Sequence, residues 1–440
     1  MSAPIALKCL RCGTLYATDH QGSGCTKCTG ALASNLRVCY GPADVGRWNF
    51  RKADTALRGM QRFGDMLPVQ SEHWVSLGEG DTPLHATTRL ASYLGVEKLY
   101  IKDESSNPTN SHKDRVSAVT VSYAKQIGAP VVATASSGNA GASLAAYAAR
   151  AGLPCVVASM KGAAGPMVAQ IRKLGAHLIL MEDKTLRWPL LAEAAQRYGW
   201  FITSPYSAPV VGSTPIGIEG YKTIAYEIYQ DLGRVPDWLA LPVCYGDALA
   251  GIHQGFLDLK ITGQTDRVPR YIAAEAHGSL QRAMAANADH VDSLPAAYAT
   301  LAASVGGPQS AYQALLALRQ SNGIAIRIGN EGLVELQERV GAIEGLNFEL
   351  ASVMPFAAVR QLRNEGVIAS GDLVVCLATA SGLKDLDKST SDWAEIPISS
   401  QPQEEVLEAA VAAVKRIALK FSNIEDETSP QMDLASSSNA

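Results

Sequence analysis

Short apolar runs alternate with alanine-rich segments of helical periodicity from about residue 98 to about residue 400. Each run has the length of a buried strand, and apolar positions in the longer segments recur every three or four residues, as on one face of a helix. Alternation at this spacing predicts βα units, and hence a parallel sheet covered by helices. The predicted strands are 99–102, 131–134, 155–158, 177–180, 238–241, 270–274 and 372–377, and the helices predicted after the first four strands are 113–127, 141–151, 164–174 and 188–198.

The two ends of the chain have patterns of their own. Residues 1 to about 40 carry cysteines and glycines with little helical periodicity, and residues 41 to about 82 connect this segment to the alternating part. Residues 403–420 have the pattern of an amphipathic helix. The last twenty residues are rich in serine, asparagine and acidic side chains, so we expect them to be disordered.

Length and composition are those of a globular protein with more than one domain. At 440 residues, two domains with appendages are the prior expectation. The sequence is 47% hydrophobic and 18% charged, and its net charge of −4 includes no block of like charges. These values argue against a nucleic-acid partner and against binding to a membrane surface.

The sequence also predicts a cytoplasmic protein. It has no apolar signal core at its start and no stretch of 18 or more uncharged apolar residues, so we expect no transmembrane helix. Four single cysteines stand in apolar surroundings and are expected to be buried as small hydrophobic side chains, which fits a reducing compartment. These four are Cys39, Cys155, Cys244 and Cys376.

Two CxxC pairs near the start form the pattern of a metal site. Cys9 and Cys12 are separated by twelve residues from Cys25 and Cys28, and two thiolates on each of two tight turns can complete a tetrahedral site. The region holds too few apolar residues to fold by burial alone. We therefore expect a structural, zinc-ribbon-like segment stabilised by zinc. A pair of redox thiols and a disulfide clip are the alternatives.

Residues 102–115 (KDESSNPTNSHKDR) run from a predicted strand through a polar turn into a helix. This pattern places Lys113 in the first helical turn, where the helix dipole disfavours a cation. A neighbouring anion, or loss of the charge in a Schiff base, would account for a lysine at this position. The alternative is a surface lysine that follows a capping serine.

Three further turns follow predicted strands. Residues 134–143 (TASSGNAGAS) open a helix, and their small side chains would let backbone N–H groups and hydroxyls bind an anion such as an amino-acid carboxylate. Residues 241–251 (LPVCYGDALAG) lead from a strand into a helix, and residues 374–385 (VVCLATASGLKD) lead from a strand into a tight turn. The first and third of these segments also fit ordinary turns after core strands.

These segments together resemble the motifs of fold type II pyridoxal phosphate enzymes, and most closely those of threonine synthases. Residues 102–115 resemble Lys-Asp-Glu…Asn-Pro-Thr-x-Ser-x-Lys-Asp-Arg, residues 136–139 resemble Ser-x-Gly-Asn, and residues 379–385 resemble Thr-Gly-His-Gly-Leu-Lys-Asp. The resemblance implies an α/β, two-domain fold type II enzyme with parallel sheets covered by helices. The expected parts are the zinc-ribbon-like segment (1–40), a large cofactor-binding domain (41–125 and 212–400), a small mobile α/β domain (126–211) and a C-terminal helix and tail (401–440).

The resemblance also implies a role for each matching residue. The lysine of the family binds pyridoxal phosphate covalently and, once a substrate displaces it, removes the proton from the substrate Cα; here it is Lys113. Asn139 is expected to bond the phenolic oxygen of the cofactor, and Thr379 its pyridine nitrogen. The residues expected at the cofactor phosphate are Gly246, Asp247, Ala248 and Leu249, and those expected at the substrate carboxylate are Ser136, Ser137 and Gly138.

Two substitutions in these motifs bear on the expected roles. Asp247 brings a carboxylate to a loop that is Gly-Gly-Asn in the family. Because two close anions repel each other, either this carboxylate points outward or the loop is reshaped. His112 stands where many members have Phe or Tyr, near the substrate. It either fills that aromatic position or adds a proton donor.

The segment expected to recognise the substrate has lost one residue of its motif. Residues 212–223 (GSTPIGIEGYKT) resemble Arg-x-Glu-Gly-x-Lys-Thr, but Gly217 stands in place of the arginine. Threonine synthases use that arginine to bind the phosphate of O-phosphohomoserine. Lys161, Arg172 or Lys222 could compensate. The expected activity is a lyase reaction of threonine biosynthesis that converts O-phosphohomoserine to threonine and phosphate.

Two other functions stay open. The missing arginine leaves room for an ammonia-lyase or dehydratase that acts on threonine, serine or a diamino acid and releases a 2-oxo acid. A more remote alternative is a non-catalytic relative that senses a ligand, supported only by the altered loop at 241–251. The expected partner is a small amino-acid substrate, and assembly as a homodimer is left open.

Overall fold

The computed structural model describes residues 4–20, 23–48, 50, 57–163, 165–386, 405 and 407–415. The chain divides into two units, Met1–Lys388 and Ser389–Ala440. In the second unit, residues 405 and 407–415 are helical, within the helix that the sequence predicts at 403–420. The tail that we expect to be disordered lies outside the described residues.

The first unit mixes helices and strands, which confirms the predicted α/β class. The strands are β1 (Pro4–Cys9), β2 (Leu15–Tyr16), β3 (Leu36–Tyr40), β4 (Leu84–Thr87), β5 (Lys98–Asp103), β6 (Val132–Thr134), β7 (Cys155–Met160), β8 (His177–Met181), β9 (Phe201–Ile202), β10 (Trp238–Pro242), β11 (Arg270–Glu275), β12 (Ile324–Arg327) and β13 (Leu373–Ala378). The helices are α1 (Pro42–Val45), α2 (Arg89–Leu94), α3 (Lys113–Gln126), α4 (Asn139–Ala151), α5 (Pro166–Lys173), α6 (Arg187–Tyr198), α7 (Pro215–Ile218), α8 (Lys222–Leu232), α9 (Asp247–Ile261), α10 (Ser279–Ala285), α11 (Tyr312–Gln320), α12 (Leu333–Glu344) and α13 (Leu350–Asn364). The predicted strands and helices of the alternating region agree with these bounds to within two residues at each end.

The strands of the described residues form three sheets. The largest has six strands in the order β12-β11-β10-β13-β5-β4, parallel except for the antiparallel pair β4–β5. A four-stranded parallel sheet has the order β8-β7-β6-β9. The third is a small antiparallel sheet, β2-β1-β3, near the start of the chain. The domain bounds 41–125 with 212–400, and 126–211, stay a prediction.

The six-stranded sheet is buried on both faces, which explains why its strands read as continuous apolar runs. Side chains of consecutive strand residues point to opposite faces. Along β10, Trp238 and Ala240 lie in one apolar cluster, whereas Leu239 and Leu241 lie in the other. Helix α13 packs in the first cluster and helices α8, α9 and α11 pack in the second.

The register of this sheet brings sequence-distant turns to one edge. Leu373 to Ala378 of β13 pair with Lys98 to Asp103 of β5, so both parallel strands end at the same level. The segment that leads to Lys113 follows β5, and Thr379 follows β13. In open α/β sheets the carboxyl edge is where ligands bind. The fold therefore places the candidate cofactor residues at the edge expected for a site.

A buried ion cluster fixes the start of α3 beneath this edge. Arg115 Nε lies 2.6 Å from Glu104 Oε2, and its Nη2 lies 2.7 Å from Glu227 Oε2. Lys102 Nζ lies 2.8 Å from the same Glu227 oxygen. These four side chains are at most 1% exposed. The cluster connects β5, the turn that follows it, α3 and α8.

None of the helices within the described ranges has both the length and the apolar character that a membrane crossing requires.

Replacing Arg115 with methionine should destabilise the protein by about 3–5 kcal/mol, because two buried carboxylates would lose their main partner. Urea unfolding followed by circular dichroism would measure the change. Arg197→Ala is the matched control: Arg197 forms an exposed pair with Glu193, and its loss should cost no more than about 0.5 kcal/mol. Equal unfolding midpoints for the two variants would contradict the structural role of the cluster.

Candidate active site

Lys113 is the first residue of α3, as the sequence predicts, and its side chain is half-buried. Its Nζ donates a hydrogen bond to the Tyr221 hydroxyl at 3.1 Å. Burial disfavours the charged amine, but the nearby Tyr221 and Asp247 outweigh this effect and hold the pKa of Lys113 above its usual value. The structure thus supplies the neighbouring anion that a lysine at a helix start requires.

His112 is buried and fills an aromatic position. Its ring stacks on Tyr221 with centroids 5.5 Å apart, and its Nδ1 lies 3.1 Å from the carbonyl oxygen of Thr379. Burial, together with the charge of Lys113, holds the pKa of His112 well below its usual value. A neutral ring that donates from Nδ1–H keeps only a lone pair on Nε2. The contacts therefore support the aromatic role, and not that of a proton donor.

The Ser136–Asn139 turn is tightly closed at the start of α4. The N–H of Gly138 donates to Ser136 Oγ at 3.3 Å. A Cβ on Gly141 would lie 2.0 Å from the carbonyl oxygen of Ser136, so only glycine fits there. The turn presents half-buried Ser136, Ser137 and Gly138 at the N-terminus of a thirteen-residue helix, an arrangement suited to an anion.

Asn139 and Thr379 meet at a carboxylate that the sequence analysis missed. Asn139 Nδ2 donates to Glu349 Oε2 at 3.0 Å, and Thr379 Oγ1 lies 3.5 Å from Glu349 Oε1. Thr379 Oγ1 also lies 2.8 Å from the hydroxyl of Ser352. All four side chains are buried. Asn139 Oδ1, also buried, has no hydrogen-bond partner among the residues that the structure describes.

The loop before α9 holds the Asp247 carboxylate against its neighbours. Asp247 Oδ1 accepts from Ser213 N–H at 3.0 Å and from Gln313 Nε2 at 2.6 Å, and Oδ2 accepts from Ser213 Oγ at 2.6 Å. Gly246 has φ of +82°, and a Cβ there would lie 2.3 Å from Ala314 Cβ. Three donors already bind the Asp247 carboxylate. The groups with which this segment can bind a phosphate are therefore the backbone amides of the first turn of α9.

Gly217 lies where helix α7 touches α3. A Cβ at this position would lie 2.2 Å from Thr120 Oγ1 and 2.7 Å from Val116 Cγ2. A larger side chain fits only if Thr120 and Val116 shift. The arginine that the family motif carries here is thus incompatible with the observed packing.

The candidate replacements for that arginine differ in their surroundings. Lys222 Nζ lies 2.8 Å from Glu219 and 2.9 Å from Asp258, and all three side chains are buried. This lysine is therefore committed to a structural ion cluster. Lys161 forms an exposed pair with Glu182, and Arg172 is exposed on α5.

The four N-terminal cysteines come together, as the spacing predicts. Their sulfur atoms all lie within 4.8 Å of one another, and the described residues contain no other cluster of this kind. Cys9 ends β1, and Asn35 stands immediately before β3 of the same small sheet. Asn35 Nδ2 donates to the carbonyl of Ser213 and to Gln313 Oε1, both at 3.0 Å. The cysteine-bearing segment therefore contacts the residues that hold Asp247.

Tyr221 and Glu349 are among the side chains at this site to which the sequence analysis gave no role. Tyr221 lies inside the segment 212–223, so the motif itself was a signal. Glu349 stands just before α13, thirty positions from Thr379. It belongs to none of the quoted motifs, and no local pattern marks it.

The residues at this edge fit pyridoxal phosphate. A half-buried amine, an asparagine with an unsatisfied buried oxygen and a buried threonine surround the carboxyl edge of the sheet. A glycine turn too tight for a Cβ opens α9 beside them, with helix-start amides for a phosphate. A covalently held ring with an anionic phosphate needs this set of groups.

Residues 75–380 match a family model described as Pyridoxal-phosphate dependent enzyme. The match spans well over half of the chain, and it includes Lys113 and every other residue named above as a cofactor candidate. The chain belongs to the family of pyridoxal-phosphate-dependent enzymes.

Curated relatives narrow the class to threonine synthase-like enzymes. The threonine synthase of Methanosarcina acetivorans is 35% identical over 389 residues, which cover 86% of this chain and 92% of that protein. The threonine synthase of Methanocaldococcus jannaschii is 33% identical over 419 residues, with 93% and 98% covered. That of Mycobacterium tuberculosis is 33% identical over 361 residues, with 81% and 95% covered.

Solved structures share the fold at lower identity. Maize serine racemase superposes with a TM-score of 0.59 at 20% identity, covering 70% of this chain and 89% of that one. Diaminopropionate ammonia lyase from Escherichia coli gives 0.58 at 21% identity, covering 71% and 87%. At these identities the likeness shows the fold alone.

Gly217→Ala should destabilise the protein by about 1–3 kcal/mol, because its Cβ would overlap Thr120 in a closely packed helix contact. Urea unfolding midpoints would measure the change. Gly371→Ala is the control, since a Cβ at Gly371 meets no atom within 4 Å. If Gly217→Ala were as stable as Gly371→Ala, the packing explanation for the missing arginine would be wrong.

Proposed function

We propose that the chain converts O-phosphohomoserine to threonine and phosphate with pyridoxal phosphate bound to Lys113. This proposal rests on one observation: the lysine motif and the threonine motif meet at one edge of the six-stranded sheet. Ser111 and Ala380 form a β-bridge, and the N–H of His112 donates to the carbonyl of Thr379 at 2.8 Å. The lysine motif and the threonine motif are thus bonded to each other. The similarity to threonine synthases supplies the reaction class.

Each candidate residue has a proposed part in holding the cofactor and the substrate. Lys113 carries the cofactor, Asn139 bonds its phenolic oxygen, and Thr379 bonds its pyridine nitrogen. The amides at the start of α9 hold its phosphate, and the turn before α4 holds the carboxylate of the substrate. The phosphate residues are Gly246, Asp247, Ala248 and Leu249, with Asp247 acting through its backbone, and the carboxylate residues are Ser136, Ser137 and Gly138.

When bound, pyridoxal phosphate withdraws electrons from the substrate Cα and so makes its proton acidic. Lys113, displaced by the amino group of the substrate, accepts this proton as the general base. The Tyr221 hydroxyl, 3.1 Å from Nζ, keeps the amine oriented. A neutral Thr379 hydroxyl leaves the ring nitrogen without a full proton, which limits the electron withdrawal and favours elimination and replacement.

The four-stranded sheet with its helices is proposed to close over the bound substrate and exclude water while the Cα proton is removed. A water molecule must then be admitted, because it supplies the hydroxyl group of threonine after phosphate has left. One contact across the opening supports this proposal. Lys384 Nζ, in the turn after β13, donates to Gln170 Oε1 of α5 at 2.8 Å. This hydrogen bond joins the two parts of the fold next to the Ser136–Asn139 turn.

An ammonia-lyase or dehydratase acting on threonine, serine or a diamino acid is the second candidate. The packing at Gly217 favours it, because the arginine that binds the substrate phosphate in threonine synthases has no room there. Such an enzyme would use the same Lys113 base and would release a 2-oxo acid with ammonia.

The purified protein should show visible absorbance from its cofactor, and Lys113→Ala should lose it. Lys125→Ala, an exposed lysine on the same helix, should keep it. With O-phosphohomoserine the wild type should release phosphate and threonine in equal amounts. A 2-oxo acid from threonine or serine, without phosphate-dependent threonine formation, would select the ammonia-lyase. A protein that stays colourless with added pyridoxal phosphate would overturn both candidates.

We also propose that Cys9, Cys12, Cys25 and Cys28 bind one structural zinc ion. Four sulfur atoms within 4.8 Å of one another fit the tetrahedral site of four thiolates. No position is left for water, so the ion would stabilise the fold and not act on substrate. Through Asn35 its segment also supports Ser213 and Gln313 near the cofactor phosphate.

Removing the metal should weaken the binding of pyridoxal phosphate and destabilise the zinc-ribbon-like segment. Cys12→Ser should lose most of the bound zinc, lower the melting temperature and raise the dissociation constant of pyridoxal phosphate several-fold. Metal analysis, calorimetry and cofactor titration would measure these effects. Cys39→Ser, outside the cluster, should change none of them. Wild-type protein that contains no metal and titrates with fewer than eight free thiols would support the disulfide alternative instead.

We propose a cytoplasmic location, and assembly as a homodimer is left to be tested. All eight cysteines are free, which suits a reducing compartment. Size-exclusion chromatography with light scattering would determine the oligomeric state.

A further inference from the structure

Glu349 is a buried carboxylate between two residues proposed to contact the cofactor ring. It is 3% exposed and directly precedes α13. Its Oε2 accepts from Asn139 Nδ2 and from Ser304 Oγ, each at 3.0 Å, and its Oε1 lies 3.5 Å from Thr379 Oγ1. Its backbone N–H donates to the carbonyl of Ala380 at 3.0 Å. Three groups thus fix the side chain, and a fourth fixes the backbone.

Within the described ranges, the groups that donate hydrogen bonds to the Glu349 carboxylate are neutral. The charged groups that face it come from the turn after β13. Lys384 attracts its charge and Asp385 repels it. Asp385 Oδ2 accepts from the N–H of Leu350, and Lys384 Nζ is turned to Gln170 and also feels Asp114. The nearby His112 is neutral.

These surroundings make Glu349 a group that titrates in the working range of the protein. Burial raises the pKa of Glu349 to about 7, although the hydrogen bonds from Asn139 and Ser304 work in the opposite direction. Below this value the carboxyl is protonated, and above it the carboxylate is charged. Both forms are therefore populated near neutral pH.

We propose that Glu349 is a positioning residue that decides, by carrying or lacking a proton, whether Thr379 directs its hydroxyl proton toward the pyridine nitrogen of the cofactor ring. This inference rests on the proposed binding of pyridoxal phosphate at Lys113.

The Thr379 hydroxyl has a single proton to donate. Ser352 Oγ, at 2.8 Å, can act as its donor, so the Thr379 proton is directed either to Glu349 or to the pyridine nitrogen. A charged Glu349 attracts this proton. A protonated Glu349 can instead donate to Thr379 Oγ1, which leaves the Thr379 proton for the ring.

The amide of Asn139 keeps its contact with Glu349 in both states. In the observed arrangement Nδ2 faces the carboxylate and the buried Oδ1 has no partner in the described part of the chain. The single proton of a neutral Glu349 is used on Oε1 toward Thr379, so Oε2 still accepts from Asn139 Nδ2. One N–H of the amide therefore stays on Glu349, and the other is free for the phenolic oxygen of the cofactor.

The test is a pH titration of the visible absorbance of the holoenzyme. In the wild type the spectrum should change with a midpoint of about 7, because the Thr379 proton is directed to the ring below this value and to the Glu349 carboxylate above it. Glu349→Gln should abolish this transition while the protein still binds the cofactor, since glutamine keeps the shape and cannot lose a proton. Glu275→Gln should titrate like the wild type: it changes another buried carboxyl, at the end of β11, that accepts hydrogen bonds from the first turn of α10.

Ser304→Ala provides an independent variant in case Glu349→Gln does not fold. It removes one hydrogen bond that favours the charged carboxylate, so the midpoint should rise by about one pH unit. An unchanged midpoint in Ser304→Ala, or a wild-type-like transition in Glu349→Gln, would overturn the inference. Visible absorbance without any transition near 7 would also overturn it and leave the proposed function intact. A colourless wild type would instead be a failure of the proposed function.

Discussion

The buried guanidinium of Arg115 is the interaction on which the site depends. It binds Glu104 in the turn after β5 and Glu227 on α8, and both carboxylates are removed from water. Burying these charges is favourable only if each has its partner in place, so the geometry tolerates little variation. Because Arg115 lies two positions after Lys113, the same interaction fixes where the reactive amine emerges from the sheet edge. The ion cluster that stabilises the buried charges thus also fixes the position of Lys113 Nζ.

Close helix packing limits the chemistry on the other side of α3. Gly217 and Gly220 let the segment 215–221 lie directly on this helix, and a Cβ at Gly220 would come within 2.1 Å of the carbonyl oxygen of Arg115. The contact leaves no space for the arginine of the family motif. The same segment supplies Tyr221 to the amine of Lys113. The same packed segment therefore both orients the amine of Lys113 and excludes the arginine of the family motif.

Two chains of hydrogen bonds connect the site to its surroundings. One runs from Asn35 of the cysteine-bearing segment through Gln313 to Asp247, and it explains how a carboxylate can lie beside a proposed phosphate site. Three hydrogen-bond donors stabilise its charge. The other runs from Ser304 through Glu349 to Asn139 and Thr379. In the proposed cofactor site, the first chain would support the phosphate end of the cofactor and the second would support its ring.

The sequence by itself determined the α/β class, the bounds of most strands and helices in the alternating region, the position of Lys113 at a helix start and the grouping of the four cysteines. These follow from periodicity and local spacing, which act over a few residues. The tertiary structure alone decided which residues contact Lys113, where the Asp247 carboxylate points, that no space is left at Gly217, and that Glu349 lies at the site. Each depends on contacts between residues up to hundreds of positions apart, and such contacts are set by strand register and helix packing, which no local pattern records.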